Sequence, residues 1–194
     1  FLDFGTLQAR RHYCEEELRL TRRTAPGRYL AVIPVGGSAS APVLGGGGPA
    51  IEYALKMKRF GQEVLLDRMA RRGALMPQHI DALAGSLAAF HAQIECAGPG
   101  HAFGSPERIL APALQNFEQL LPLASANADS TLLARLRDWT AREHAALKPV
   151  FEARKHEGWV RECHGDLHLG NIALLQGVPT PFDGIEFNPD FRWI

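Results

Sequence analysis

Apolar residues change their spacing several times along this chain, and each change predicts an element. Thr6 can cap a helix with its hydroxyl, and from there Leu7, Cys14 and Leu18 recur on one face up to about Thr24. Glu15, Glu16 and Glu17 cross to another face, and Pro26 with Gly27 ends the helix. The runs Arg28 to Val35 and Ala50 to Lys58 are rich in β-branched and aromatic residues and read as strands. Between them, Gly36, Gly37 and the run Gly45 to Gly48 predict a flexible hairpin connection, with neither the GKS or GKT ending of a P-loop nor GxGxxG spacing.

From Gln62 the spacing becomes helical. Glu63 to Arg72 is one predicted helix, and Pro77 to about Ala97 is a second, with Ile80, Leu83, Leu87 and Ile94 every three or four residues or a multiple of that. His91 falls on that apolar face, where a hydrogen-bonded core histidine is expected. A Gly-rich linker, Gly98 to Ser105, leads into helices near Pro106 to Leu121 and Ser130 to Lys155, with Trp139, Val150 and Phe151 as core. Short strands are then expected at Trp159 to Cys163, Ile172 to Leu175 and Pro179 to Phe182, with Gln176 and Gly177 as the turn between the last two. The class is α+β.

Composition narrows the possibilities. With 194 residues and 46% apolar residues, the chain can bury a substantial core. Lys plus Arg equals Asp plus Glu at 21 each, so there is no general excess of positive charge for a nucleic acid or an anionic membrane. No apolar run approaches the roughly 20 residues of a membrane helix. Cys14, Cys96 and Cys163 lie far apart, odd in number and without a CxxC pair, and are expected as buried thiols of a cytoplasmic protein. A first residue other than Met, and an end directly after a motif-rich segment, predict an internal piece of a longer polypeptide.

That motif-rich segment is HGDLHLGNIALL followed by PFDGIEFNP, from His164 to Pro189. Asp166 and Asn171 are five apart, and Asp183 ends the second strand of the expected hairpin. Phosphoryl transfer needs this set: a carboxylate to orient and deprotonate the acceptor hydroxyl, and an amide with a second carboxylate to hold Mg²⁺ against the phosphates. Hard oxygen ligands suit Mg²⁺, which neutralises the gathered phosphate charge. Two other readings share these residues. His164, Asp166 and His168 alternate as HxDxH and could serve a metal-dependent phosphoesterase or hydrolase, although the remaining histidines stand isolated. A nucleotide-binding module without catalysis is the other.

The same residues resemble the aminoglycoside phosphotransferase-like branch of the kinase superfamily, which includes choline kinase-like and homoserine kinase-like enzymes. Its pattern of HGD, an Asn five residues after the Asp, and an Asp after the next strand is filled by His164, Gly165, Asp166, Asn171 and Asp183. The wording FLDFGTLQARRHYCEEELRL and PFDGIEFNPDFRW is similar to a bacterial subgroup of that branch whose substrate is not established, often joined to a following P-loop kinase domain. Gly184 stands where that subgroup has Cys, and a looser strand beside Asp183 is expected.

The resemblance implies a two-lobe protein-kinase-like fold in truncated form: a partial small lobe and hinge in residues 1–61, and a mainly helical lobe with a β-hairpin insert in 62–194. It implies ATP and Mg²⁺ as cofactors and a small molecule with a hydroxyl as acceptor. Asp166 would be the catalytic base, His164 a structural support, and Asn171 and Asp183 the magnesium ligands. Glu16 or Glu17 would be the helix carboxylate that pairs with a phosphate-binding Lys, itself expected ahead of Phe1. Lys58, Arg59 and Phe60 would form the hinge that offers backbone groups to adenine.

Overall fold

The computed structural model describes residues 4–124 and 127–194, in two compact units. The first unit comprises Phe1–Gln93 and His164–Asn188, the second Ile94–Cys163 and Pro189–Ile194.

The first unit opens with α1, Leu7–Thr21, whose Thr6 cap accepts a hydrogen bond from the Ala9 amide at 3.1 Å, as the sequence predicts. It packs on a three-stranded antiparallel sheet of order β2-β1-β3, with β1 at Tyr29–Ser38, β2 at Ala41–Leu44 and β3 at Glu52–Met57. β2 corrects the expected flexible connection: the Gly-rich stretch is itself paired, Val35 to Leu44 through Ser38 to Ala41. Glycine is needed there because Gly37 has φ +83° and an added Cβ would stand 2.4 Å from the Ala41 carbonyl oxygen. β2 is Ala41, Pro42, Val43 and Leu44, four apolar residues in a row, so no alternation of polar and apolar side chains announces it.

In the same unit, α2 (Leu66–Arg71) and α3 (Pro77–Gln93) pack on the hairpin of β4 (Ile172–Leu175) and β5 (Val178–Pro181). Leu66, Met69, Leu83 and Ile172 form the core there, with Leu87, Leu169 and Leu174 against it. Leu169 belongs to the segment between Asp166 and Asn171, so the core fixes that segment from below. The hairpin turns at Gln176 (φ 52°) and Gly177 (φ 80°), both left-handed, the conformation of a two-residue turn whose twist matches that of right-twisted strands. Three expectations for α3 change: Ile80 is exposed, the helix stops at Gln93, and His91 is half-buried against the Phe90 ring.

The second unit is built on two helices, α4 (Pro106–Leu120) and α5 (Asn127–His156). Ser105 caps α4 by accepting from the Arg108 amide. Ala97, Val160 and Trp193 form a small core with Phe103 stacked on the Trp193 ring. The expected strand Trp159 to Cys163 is instead a pair of isolated bridges, Cys96 with Arg161 and Glu162 with Trp193, beside the buried ion pair of Arg192 and Glu162 at 3.0 Å. Trp139 and Val150, expected in the core, are exposed, and Phe151 is half-buried. Cys96 is exposed and Cys14 and Cys163 half-buried, which corrects the expectation of three buried thiols.

Candidate active site

The segment from His164 to Asn171 is held by its own first and last members. His164 is buried; its Nε2–H donates to the Phe182 carbonyl at 3.0 Å, and the Ile185 amide donates to the His164 carbonyl at 3.0 Å. Burial pushes the imidazole pKa below its ordinary value, so the ring is neutral and its Nδ1 lies buried without a hydrogen-bond partner among the described residues. Gly165 turns the chain at φ 86°, which turns the next residues out of the interior. Gly184 lies where a Cβ would approach the His164 carbonyl oxygen to 3.1 Å, a close backbone passage outside the named strands.

Asn171 joins the two carboxylate-bearing positions. Its buried amide donates from Nδ2 to the Asp166 backbone carbonyl at 3.0 Å and to Asp166 Oδ2 at 3.2 Å, and it lies 3.4 Å from the Asp183 carbonyl. The Phe182 amide in turn donates to the Asn171 carbonyl at 2.9 Å. With Nδ2 spent on Asp166 and Asp183, the amide presents only Oδ1 as a ligand, and Asp183 adds carboxylate oxygens. These are hard donors of the kind Mg²⁺ takes. Asp183 sits at φ 61°, a left-handed conformation that non-glycine residues adopt sparingly and that concentrates at functional sites.

Charge marks the same place. Glu17 of α1 is pushed up to about 7, by burial first and then by the negative charges of Asp183 and Glu186. Glu16 points elsewhere, bonded to Arg19 at 2.9 Å, and Glu15 pairs with Arg11 at 2.8 Å. Asp183 thus acts on Glu17, while Glu15 and Glu16 each have an arginine of their own helix as partner. Tyr29, buried at the start of β1, interacts with the Asp183 backbone and the Thr21 side chain, and its phenol is raised by burial and by Glu17 and Asp183. Tyr29 lies outside the sequence motifs, and Glu186 lies within PFDGIEFNP with no role expected of it. Only the identity of Glu186, three residues beyond Asp183, hints at it.

The hinge residues are only partly drawn in. Phe60 meets Phe182 edge to face at 5.2 Å, next to Asp183, whereas Lys58 and Arg59 are exposed and the Lys58 amide donates to the Arg28 carbonyl at 2.8 Å. His168 Nδ1 accepts from the Gly170 amide at 3.0 Å, and its Nε2 stands 3.6 Å from Asp166 Oδ2. The alternating His164, Asp166 and His168 do not converge, because His164 is turned inward to Phe182. Among the described residues no group of three or more His, Cys, Asp or Glu is placed to hold a metal ion. No helix is long and apolar enough to cross a membrane among the described residues.

Comparison with known proteins gives the family. A family model described as the phosphotransferase enzyme family matches residues 8–184, a span that includes Glu17, Asp166, Asn171 and Asp183. Uncharacterized proteins of Mycobacterium bovis and Mycobacterium tuberculosis are each 25% identical over 198 residues, covering 100% of this chain and 37% of their own. The chain thus spans little more than a third of the length of the curated relatives it matches. No solved structure matches it significantly.

Proposed function

Because the chain belongs to the phosphotransferase enzyme family, of the aminoglycoside phosphotransferase-like kind, we propose that it transfers the γ-phosphoryl group of ATP to a hydroxyl of a small molecule. The observation that carries this reading is the Asn171 amide, which reaches Asp166 Oδ2 at 3.2 Å and the Asp183 carbonyl at 3.4 Å. It supports the reading by tying Asp166, Asn171 and Asp183 into one hydrogen-bonded group, the three residues that would serve as base and metal-ligand pair in phosphoryl transfer.

In this reading Asp166 accepts the proton of the acceptor hydroxyl on a carboxylate oxygen as that hydroxyl attacks. Asn171 orients the carboxylate through Nδ2, and His164 fixes the loop by its bond to Phe182. Asp183 and the Asn171 Oδ1 would hold Mg²⁺, whose charge neutralises the phosphate oxygens. Glu17, rather than Glu16, would supply the carboxylate for a phosphate-binding cation, and the backbone around Lys58, Arg59 and Phe60 would receive adenine. Residues 1–61 would then belong to the small lobe and hinge of a kinase-like fold and 62–194 to the large lobe. A further P-loop kinase domain is compatible with the greater length of the relatives.

Titration calorimetry of ATP into the protein, with and without Mg²⁺, tests the reading. Mg²⁺-dependent binding that is lost in Asp183→Asn is the expected result; Asn keeps the left-handed backbone accessible while removing the charge. ATP binding that ignores both Mg²⁺ and Asp183 would sink it.

A further inference from the structure

Helix α5 carries a face that its own unit leaves uncovered. Leu132, Leu136, Trp139, Leu147 and Val150 are all exposed, Leu132 by 55% and Trp139 by 53%. At 3.6 residues per turn they fall within a sector of roughly 80°, along about 27 Å of helix. The side of α5 used inside the unit is a different one. His144 Nε2 bonds with the Pro106 carbonyl at 2.6 Å, Lys148 pairs with Glu107 at 3.1 Å, Phe151 packs on His144, and Lys155 donates to the His101 carbonyl at 2.5 Å. Those four residues lie about 110° round the helix from the exposed stripe.

The stripe has the grammar of a helix-packing seam. Leu132, Leu136, Trp139, Ala146 and Val150 keep alternating steps of four and three, with Glu143 in the one remaining place. A depression of about 400 Å³ opens over Leu132, Leu136 and Trp139, edged by Arg135, Asp138 and Arg142. Asp138 is approached by Arg137 at 3.8 Å, whereas Arg135 and Arg142 have no carboxylate partner among the described residues. Both arginines sit on the same edge, seven residues apart.

We infer that this stripe is a docking surface for an acidic amphipathic helix of a partner polypeptide, with its apolar side on Leu132, Leu136 and Trp139 and carboxylates two turns apart against Arg135 and Arg142. A continuous apolar patch rimmed by charge is the surface that soluble proteins reserve for partners, and the two guanidinium groups specify the sign of that partner's flank. A second copy of the chain fits poorly. In a parallel pair Arg135 and Arg142 would meet the opposite flank of α5, Leu133, Thr140 and Leu147; in an antiparallel pair they would meet each other. Neither arrangement supplies a carboxylate.

The test is calorimetric titration of two synthetic 21-residue helices into the chain, both with Leu along one stripe, one flanked by Glu and the other by Lys. The Glu-flanked helix binds with a Kd on the order of 10 μM, and about tenfold more weakly after Trp139→Ala. The double variant Arg135→Glu, Arg142→Glu reverses the preference between the two helices. These side chains are exposed, so circular dichroism and Tm of the variants stay unchanged. Equal binding of the two helices, or binding of neither, overturns the inference. So does a dimer seen by light scattering that dissociates on Trp139→Ala, which would assign the face to a second copy.

Discussion

The His164 Nε2–H donates to the carbonyl oxygen of Phe182 across 3.0 Å, and so ties the residue two before Asp166 to the residue one before Asp183. This bond sets the distance between the proposed base and the proposed metal ligand. Removing it leaves a buried carbonyl unpaired, at about 1–3 kcal/mol. His164→Ala is expected to lose stability by that order in urea denaturation and to lower kcat, with Asp166 itself intact. His164→Gln, whose amide can reach the same carbonyl, should recover part of both; equal damage in the two variants would remove the bond from the explanation.

Asp166→Ala should lower kcat by roughly 10² to 10⁴, the usual worth of a positioned general base, with ATP affinity little changed. The measurement is steady-state kinetics once an acceptor is found, or the slower ATP hydrolysis by water before then. An unchanged kcat would take the role of base from Asp166.

Glu17 makes stability depend on pH. Its folded-state pKa of about 7 lies above the ordinary 4.5 of a glutamate, so its contribution is full below that ordinary value and is lost as pH rises through 7. After allowance for its partial exposure to solvent, the loss is on the order of 1–2 kcal/mol. Glu17→Gln should therefore be more stable than the parent at pH 8, equal to it at pH 4.5, and flatter between. Urea midpoints at the two pH values measure this directly, and a parent with no slope between them would contradict it.

The Gly-rich stretch offers a paired comparison. Gly37→Ala puts a Cβ 2.4 Å from the Ala41 carbonyl oxygen at φ +83°, whereas nothing lies within 4 Å of a Cβ at Gly47. Gly37→Ala should cost about 1–3 kcal/mol and Gly47→Ala close to nothing. Thermal denaturation of both variants decides whether β2 is held as described, since a loose connection would tolerate the two equally.

Much of the local structure was legible in the sequence, because it depends on neighbours in the chain. Thr6 before an apolar-periodic run caps α1, and Gln176-Gly177 between two short runs makes a two-residue turn of a kind that twisted strands favour. The spacing of Asp166, Asn171 and Asp183 around that hairpin was equally a local matter, since a hairpin returns the chain to its start. What the tertiary structure alone decided are relations that depend on how faces meet. Three consecutive acids on α1 look alike in sequence, and only the seating of Leu20 and Thr21 in the interior decides that Glu17 is buried within reach of the charge of Asp183. Tyr29 joins the site through the sheet, from a position 154 residues before Asp183. On α5, Trp139, Val150 and Phe151 were expected in the core for their apolar character, but the unit spends a different side of the helix on α4 and leaves Trp139 in solvent. Periodicity states that a face is apolar; which surface covers it is settled by packing, where burial against available partners outweighs local preference.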